Sequence, residues 1–221
     1  MPVLAVKEYL QTQGLSLQAD EVQVAYLTLQ TVINVGKASI DRELLWYANN
    51  ELTLAEHIEQ NDTHELLLKK MFMALDSVFS RQAARSAVVY ALIPAVAPYL
   101  VRLVQQGEVV EQLLPVNDAQ SIEHLPSRCV QTGWLNIVDD VAHWLSHDEL
   151  KGEHHARNQS QMTLPICHPN GAVLGVLHIE HAQKNTFDDA AQAEWVALAL
   201  AVVDSLQALM HYAPQEEIDN E

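Results

Sequence analysis

Two polar residues, His178 and Glu180, interrupt an otherwise apolar run, AVLGVLHIEH, at residues 172–181. The run has the length and composition of a buried strand, whose successive side chains point to opposite faces of a sheet. His178 and Glu180 therefore share one face, and Leu177 and Ile179 share the other, core-facing side. A buried imidazole and carboxylate side by side suit a pocket for a polar molecule. An ion pair in water at the end of the strand is the alternative.

Arg102 and Thr163 are further polar residues in apolar runs that we predict to be strands of the same sheet. Arg102 is the only charged residue in PYLVRLV, and Thr163 lies in QMTLPIC. We expect Arg102, Thr163, His178 and Glu180 to line one cavity. Because an isolated buried charge is costly, Arg102 and Glu180 should pair with each other or with a ligand.

The segment AHWLSHDELKGEHHARNQS, residues 142–160, has the position and composition of a lid over that cavity, and we call it the lid segment. Trp144 within it is predicted to stack on a ligand, and Trp134 is predicted to form a wall of the cavity on the other side. The alternative is that both indoles fill the hydrophobic core, which is the commoner position for tryptophan.

Histidines and cysteines are the residue types that could bind a metal or act as nucleophiles, and neither role is predicted. His143 and His147 are four residues apart and would share a helix face, with His154 and His155 following, but HxxxH without the glutamate of HExxH is more simply explained by solvated histidines. Cys129 and Cys167 form no CxxC motif and no disulfide framework. A thiol-dependent activity stays open as an alternative.

Composition narrows the class of protein. The 221 residues contain 12 Lys and Arg against 29 Asp and Glu, a formal net charge of −17, so nucleic acid and anionic membrane are not expected partners. The N-terminus lacks the basic and apolar regions of a signal peptide, and no run reaches about 18 apolar residues. We therefore expect a cytoplasmic protein that neither spans nor binds membranes.

The order of elements predicts an α+β fold, an antiparallel sheet flanked by helices and preceded by an all-helical N-terminal segment. Residues 1–62 are predicted to be helical. A long helix is expected over 63–93, with Leu67, Met71, Leu75 and Val78 forming either a dimer seam or a face packed on its own domain. A hairpin follows around QQGE, then a helix ending at Gly133, a short strand, two strands joined by HPNG, and a helix over 188–211 capped by Asp188 or Asp189. Residues 214–221 are expected to be a disordered acidic tail.

Three stretches in this order resemble a GAF domain. They are SRCVQTGWLNIVDDV, LPICHPNGAVLGVLHIE, and TFDDAAQAEWVALALAVVDSL, and the resemblance covers about residues 63–212. It implies one GAF-like domain at 63–213, with residues 1–62 unassigned. GAF domains are regulatory modules that bind small molecules between the sheet and variable helices and loops, or only dimerise. The resemblance therefore implies a sensor and names neither ligand nor cofactor.

The predicted function is a stand-alone, non-enzymatic GAF-type sensor. It would bind an unidentified small polar molecule, form a homodimer through helices 63–93 and 188–211, and signal to a separate protein partner. Two alternatives remain. One is a thiol-dependent reductase of the methionine sulfoxide type on the same fold, which would normally take a cysteine from the lid segment, where this sequence has none. The other is a ligand-free scaffold for dimerisation and protein binding.

Overall fold

The computed structural model describes residues 2–37, 39–47 and 52–212. Within them the helices are α1 (Pro2–Thr12), α2 (Ala19–Val35), α3 (Arg42–Trp46), α4 (Asp62–Phe79), α5 (Asp118–Glu123), α6 (Leu125–Thr132), α7 (Val141–Ser146), α8 (Asp189–Ala201) and α9 (Val203–Leu209). The strands are β1 (Ser86–Ile93), β2 (Tyr99–Gly107), β3 (Leu113–Pro115), β4 (Asn136–Val138), β5 (Ser160–Cys167) and β6 (Val173–His181). Short 3-10 helices lie at Leu54–Glu56 and Glu153–Arg157.

The six strands form one antiparallel sheet in the order β3-β2-β1-β6-β5-β4. The strands β1 and β6 lie at the centre of the sheet and pair with each other. Most of their side chains are buried, on both faces of the sheet. The predicted α+β fold with an antiparallel sheet flanked by helices is confirmed.

One face of the sheet is covered by helices. Leu177 and Ile179 of β6 lie in a large hydrophobic cluster with residues of α4, α8 and α9, as the alternation of the strand predicts. The N-terminal helices join the same cluster, and the Tyr9 hydroxyl of α1 donates a hydrogen bond of 2.9 Å to the carbonyl of Pro165 in β5. The described residues of the N-terminal segment therefore complete the core on this face, and the predicted boundary at residue 62 stays a prediction.

The opposite face has a thinner cover, made by α5, α6 and the lid segment. A smaller apolar cluster lies there and contains Tyr90, Leu100, Cys129 and Val176. Towards the ends of β5 and β6 the apolar residues give way to polar ones. This face holds the candidate site.

The predicted helix over 63–93 is wrong in its second half, because residues 86–93 form the central strand β1. The run SAVVYALI is uniformly apolar, since both sides of a central strand are buried, and it therefore lacks the alternation that marks a half-exposed strand.

The predicted dimer seam is also wrong, and the alternative of a helix packed on its own domain is right. Met71, Leu75 and Val78 of α4 are completely buried in the core of their own chain, and Leu67 packs against it. The homodimer itself stays a prediction.

Other boundaries agree with the sequence. The Asp188 side chain accepts a hydrogen bond from the Ala191 amide and caps α8, and Gly133 ends α6 with φ +69°. The predicted acidic tail, residues 214–221, lies outside the described residues. Among the helices that are described, none is long and apolar enough to cross a bilayer.

Two glycines shape the hairpin of β5 and β6. Gly171, in the HPNG turn, has φ +89°, a conformation that other residues rarely adopt. Gly175 meets a different constraint, since a Cβ there would clash with the carbonyl oxygen of Tyr90 and lie 2.9 Å from Leu206 Cδ2. The close contact of β1 with β6 therefore depends on Gly175.

We predict that Gly175→Ala lowers the free energy of unfolding by about 1–3 kcal/mol, because the added methyl group must push the central strands apart. Gly171→Ala is the control, since its methyl group would enter open space and the cost is only the left-handed backbone, roughly 1 kcal/mol. Urea denaturation measures both. A loss for Gly175→Ala no larger than that for Gly171→Ala would contradict the packing argument.

Candidate functional site

Thr163, His178 and Glu180 lie side by side on the thinly covered face, as their sequence positions predict. Thr163 and His178 are cross-strand partners on β5 and β6, and Thr163 Oγ1 is 2.7 Å from His178 Nδ1. The other imidazole nitrogen, Nε2, is 3.5 Å from Glu180 Oε1. All three side chains are buried, so this row of polar groups belongs to the interior of the protein.

The Glu180 carboxylate is 2% exposed and is surrounded by donors. Ser86 Oγ donates to Oε2 at 2.8 Å, and Arg157 Nη2 donates to Oε1 at 3.0 Å. Burial alone would raise the pKa of Glu180, but His178 and Arg157 together hold it well below its usual range. The carboxylate is therefore charged at neutral pH.

The predicted pairing of Arg102 with Glu180 is wrong, and Arg157 takes that role. Arg102 lies on β2, and β1 separates β2 from β6. Arg157 is the last residue of the 3-10 helix in the lid segment, and its guanidinium is also 3.4 Å from Glu111 Oε2. One guanidinium from the lid segment thus lies between two carboxylates.

Sequence reasoning missed Arg157 and Glu111 as site residues. Both lie outside the regular strands, Glu111 between β2 and β3 and Arg157 in the lid segment. A signal for Arg157 was present, because it is the only arginine of the lid segment and Glu180 needed a cation. No comparable signal marks Glu111.

Besides His178, three histidines lie around the ion pair between Arg157 and Glu180. His155 is 3% exposed, its Nε2 donates to the Glu123 carbonyl at 2.8 Å, and its Nδ1 accepts from Gln161 Nε2 at 2.9 Å. Burial, and then the neighbouring His154, lower the pKa of His155 to about 4. The ring of His154 stacks on that of His124 at 4.6 Å, and burial likewise lowers the pKa of His124. His155 is therefore neutral at pH 7.

Side chains fill most of the space under the lid segment. The cavity that remains is about 10 Å³, which is room for about one water molecule. Its lining consists of Tyr90, Glu111, Leu114, His124, Leu125, Pro126, His154, His155, His178 and Glu180. A larger molecule could bind here only if the lid segment moved.

Of the residues predicted to line this cavity, the structure places only His178 and Glu180 there. Thr163 contacts His178 but is not part of the lining, and Arg102, Trp134 and Trp144 lie elsewhere. Trp134 follows α6 and is 55% exposed. Trp144 of α7 packs against a small apolar cluster that includes Leu125 and Leu150. Trp144 thus has the core-filling position that was the alternative, whereas Trp134 lines neither core nor cavity.

The four histidines of the lid segment are divided between two places. His143 of α7 and His147, at the end of that helix, have tilted rings with centroids 4.2 Å apart, whereas His154 and His155 line the cavity beside the ion pair. In the described part of the chain, no three His, Cys, Asp or Glu side chains are grouped as metal ligands.

Both cysteines lie away from the polar row. Cys129 of α6 is completely buried in the smaller apolar cluster, and burial raises its pKa well above the usual range. Cys167 lies at the end of β5, and burial raises its pKa to about 11. Both thiols are therefore protonated at neutral pH, unlike the thiolate that nucleophilic chemistry requires.

No protein-family profile and no curated protein sequence matches the chain. Similarity appears among solved structures. A putative GAF sensor protein from Burkholderia vietnamiensis aligns with TM-score 0.59 and 14% identity over 88% of this chain and 98% of that one. The GAF domain of an Acinetobacter phosphoenolpyruvate-protein phosphotransferase aligns with TM-score 0.55 and 13% identity over 87% and 96%.

The chain has a GAF-like fold. The same fold occurs in an enzyme, a type II free methionine-R-sulfoxide reductase from Thermoplasma acidophilum, which aligns with TM-score 0.57 and 17% identity over 67% of this chain and 97% of that one. At such low identities the similarity concerns the fold alone. GAF-like architecture is thus compatible with both sensing and thiol chemistry.

We predict that stability falls as the pH is lowered from about 7 to about 5, and that His155 supplies about 2 kcal/mol of the loss. Its pKa is about 6.5 in an unfolded chain and about 4 in the fold, so the unfolded state binds the extra proton first. Urea denaturation at the two pH values measures the difference.

His155→Gln should flatten this pH dependence. His143→Gln, which changes an exposed histidine, is the control and should keep the wild-type dependence. Equal slopes for wild type and His155→Gln would show that the buried ring does not carry the effect.

Proposed function

We propose that this protein is a GAF-type sensor that binds a small polar molecule at Glu111, His178 and Glu180, beneath the lid segment. The observation that carries the proposal is the ion pair, at 3.0 Å, between the buried Glu180 and the partly exposed Arg157. Burying such a charge generally adds less stability than apolar packing would. The pair therefore points to a role for these charges beyond stability.

The charges in the site favour a ligand with a cationic group. Glu111 and Glu180 supply two carboxylates, and Arg157 is the cation that both contact. His155 is neutral at pH 7, so it adds no positive charge. Arg157 thus occupies the position that a ligand's guanidinium or ammonium would take, and acts as an internal competitor.

Binding would then shift the chain from a closed to an open form of the lid segment. The ligand displaces Arg157 from Glu180 and releases the 3-10 helix that carries it. The carbonyl of Arg157 accepts a hydrogen bond from Arg85, in the connection between α4 and β1. A displaced lid segment would therefore change the contacts at the start of β1, from which a signal could pass to a second copy of the chain or to a separate protein.

Native mass spectrometry of the purified protein, before and after denaturation, is the first test. An excess mass that disappears on denaturation, from a compound with an amine or guanidine group, is the expected result. The same spectra give the oligomeric state. A dimer that carries no excess mass, and that gains none with any cationic compound tested, would favour the scaffold alternative, which the small cavity also fits.

Agmatine, which carries both a guanidinium and an ammonium group, tests directly whether Arg157 competes with a cationic ligand for Glu180. We expect Arg157→Ala to bind agmatine about 10- to 100-fold more tightly than wild type, because the competing guanidinium is gone, and Glu180→Gln to lose binding. Isothermal titration calorimetry measures both affinities. Arg81→Ala removes the ion pair with Glu194 elsewhere on the surface and is the matched control. Equal affinities in wild type and Arg157→Ala would contradict the proposed competition.

The reductase alternative is supported by the fold of the Thermoplasma enzyme and opposed by the chemistry of the thiols. Raised pKa values disfavour the thiolates of both Cys129 and Cys167. We therefore expect no reduction of free methionine sulfoxide by the purified protein with dithiothreitol, measured by amino-acid analysis. Turnover that is lost in a Cys129→Ala, Cys167→Ala variant would overturn this expectation.

A further inference from the structure

Arg102 is a buried cation without a carboxylate partner among the described residues. It is 5% exposed and is the only buried arginine or lysine in that part of the chain. Its Nη1 donates to the carbonyl of Val110 at 2.6 Å, and its guanidinium carbon is 5.2 Å from the centroid of the Tyr47 ring. Neither contact supplies a negative charge, although a buried guanidinium is costly without one.

The neighbouring groups form no ion pair with Arg102 either. Burial raises the pKa of Tyr47 to about 12, so its phenol is uncharged at pH 7, and its hydroxyl donates to the main-chain carbonyl of Arg102. The carboxylate of Glu111 pairs with Arg157 and acts on Arg102 only from beyond ion-pair distance. Burial lowers the pKa of Arg102, which remains a strong base that keeps its proton at neutral pH.

A cavity of about 260 Å³ opens beside Arg102, between α3, α4 and the edge of the sheet. Its walls are largely apolar, and among the described residues that line it Tyr47, Gln105 and Gln112 are the other polar side chains and none is acidic. The lining consists of Leu44, Leu45, Tyr47, Phe72, Arg102, Leu103, Val104, Gln105, Val109 and Gln112. One buried cation in an apolar cavity fits a small molecule with one anionic end.

We propose that this cavity, the Arg102 pocket, binds a small organic acid whose carboxylate pairs with the Arg102 guanidinium and whose apolar body contacts Leu45 and Phe72. The planar guanidinium can donate two parallel hydrogen bonds to a carboxylate, and one face of it already contacts the Tyr47 ring. This site is separate from the one beneath the lid segment, and its ligand carries the opposite charge.

Hexanoate is the probe, and 1-hexanol, which has the same chain length without the charge, is the matched ligand. Isothermal titration calorimetry should show binding of hexanoate at least tenfold tighter than that of hexanol. Arg81→Ala, which removes a surface ion pair with Glu194 away from this cavity, should bind hexanoate like wild type. Equal affinities for the two probes, or no binding of either, would overturn the proposal.

Arg102→Met tests the cation while keeping the volume of the side chain. It should fold and lose at least tenfold in affinity for hexanoate while its affinity for hexanol is unchanged.

Val109→Trp is a second variant, since the exposed Val109 lines the cavity and a larger side chain should block it while Arg102 stays intact. Val96→Trp, at a fully exposed position outside the lining, is its control. Unchanged hexanoate binding in Arg102→Met or in Val109→Trp would contradict the assignment.

Glu51 supplies the remaining test, because this acidic residue follows Tyr47 in sequence but lies outside the described residues. Glu51→Gln should bind hexanoate with wild-type affinity if the Arg102 pocket is built for an external anion. A gain of tenfold or more would identify Glu51 as an internal partner of Arg102 and would overturn the proposal.

Discussion

The burial of the Glu180 carboxylate on a central strand is the constraint on which this face of the protein depends. A charged group there loses its hydration and must be surrounded by donors. Ser86 and His178 come from the sheet itself, but they leave the negative charge without a full counterion. Arg157 supplies it, and this fixes where the lid segment must lie. The closed arrangement of the lid is thus a consequence of one residue in β6.

The two faces of the sheet are stabilised in different ways. On the helical face, α4, α8, α9 and the N-terminal helices bury a continuous apolar cluster, which favours one rigid arrangement. On the other face, short helices and the lid segment rely on a few directional polar contacts around a small apolar cluster. Regions with few buried apolar contacts open at lower free energy than the core. The part of the molecule best suited to motion therefore lies directly over its buried charges.

The sequence was most informative where one local rule determines the structure. Alternation in β6 placed His178 and Glu180 on one face, HPNG predicted the turn at Gly171, and Asp188 capped its helix. It was least informative where both faces of a segment are buried, because residues 86–93 carry no periodic signal. The strand formed by these residues also separates Arg102 from Glu180, because β1 lies between β2 and β6. The direct pairing of these two charges, one of the two arrangements predicted from the sequence, is therefore absent.

The ion-pair partners that come from loops could not be predicted from local sequence rules, for a different reason. Arg157 reaches Glu180 from a segment without regular periodicity, and Glu111 reaches Arg157 from the connection between β2 and β3. Both contacts join residues that are distant in sequence, so they depend on the complete fold. The two tryptophans show the same limit, since their residue type suits stacking while their positions place one in solvent and the other in a small core.

The connection between β2 and β3 contacts residues from several parts of the sheet and the lid segment. Within it, the Val110 carbonyl accepts from Arg102, and the next residue, Glu111, contacts Arg157 through its side chain and Tyr90 through its carbonyl. Two adjacent residues thus belong to two separate polar clusters. The same short connection therefore takes part in both clusters.

The lid segment also has a geometric property with evolutionary consequences. It leaves the sheet at β4 and returns at β5, which are paired neighbours, so its two ends are held close together by the sheet. The entropy cost of closing such a loop grows only slowly with its length. Insertions and substitutions there would leave the strand register intact while they change which groups face Glu180. New ligand specificities could therefore evolve through changes in the lid segment alone, while the sheet stays the same.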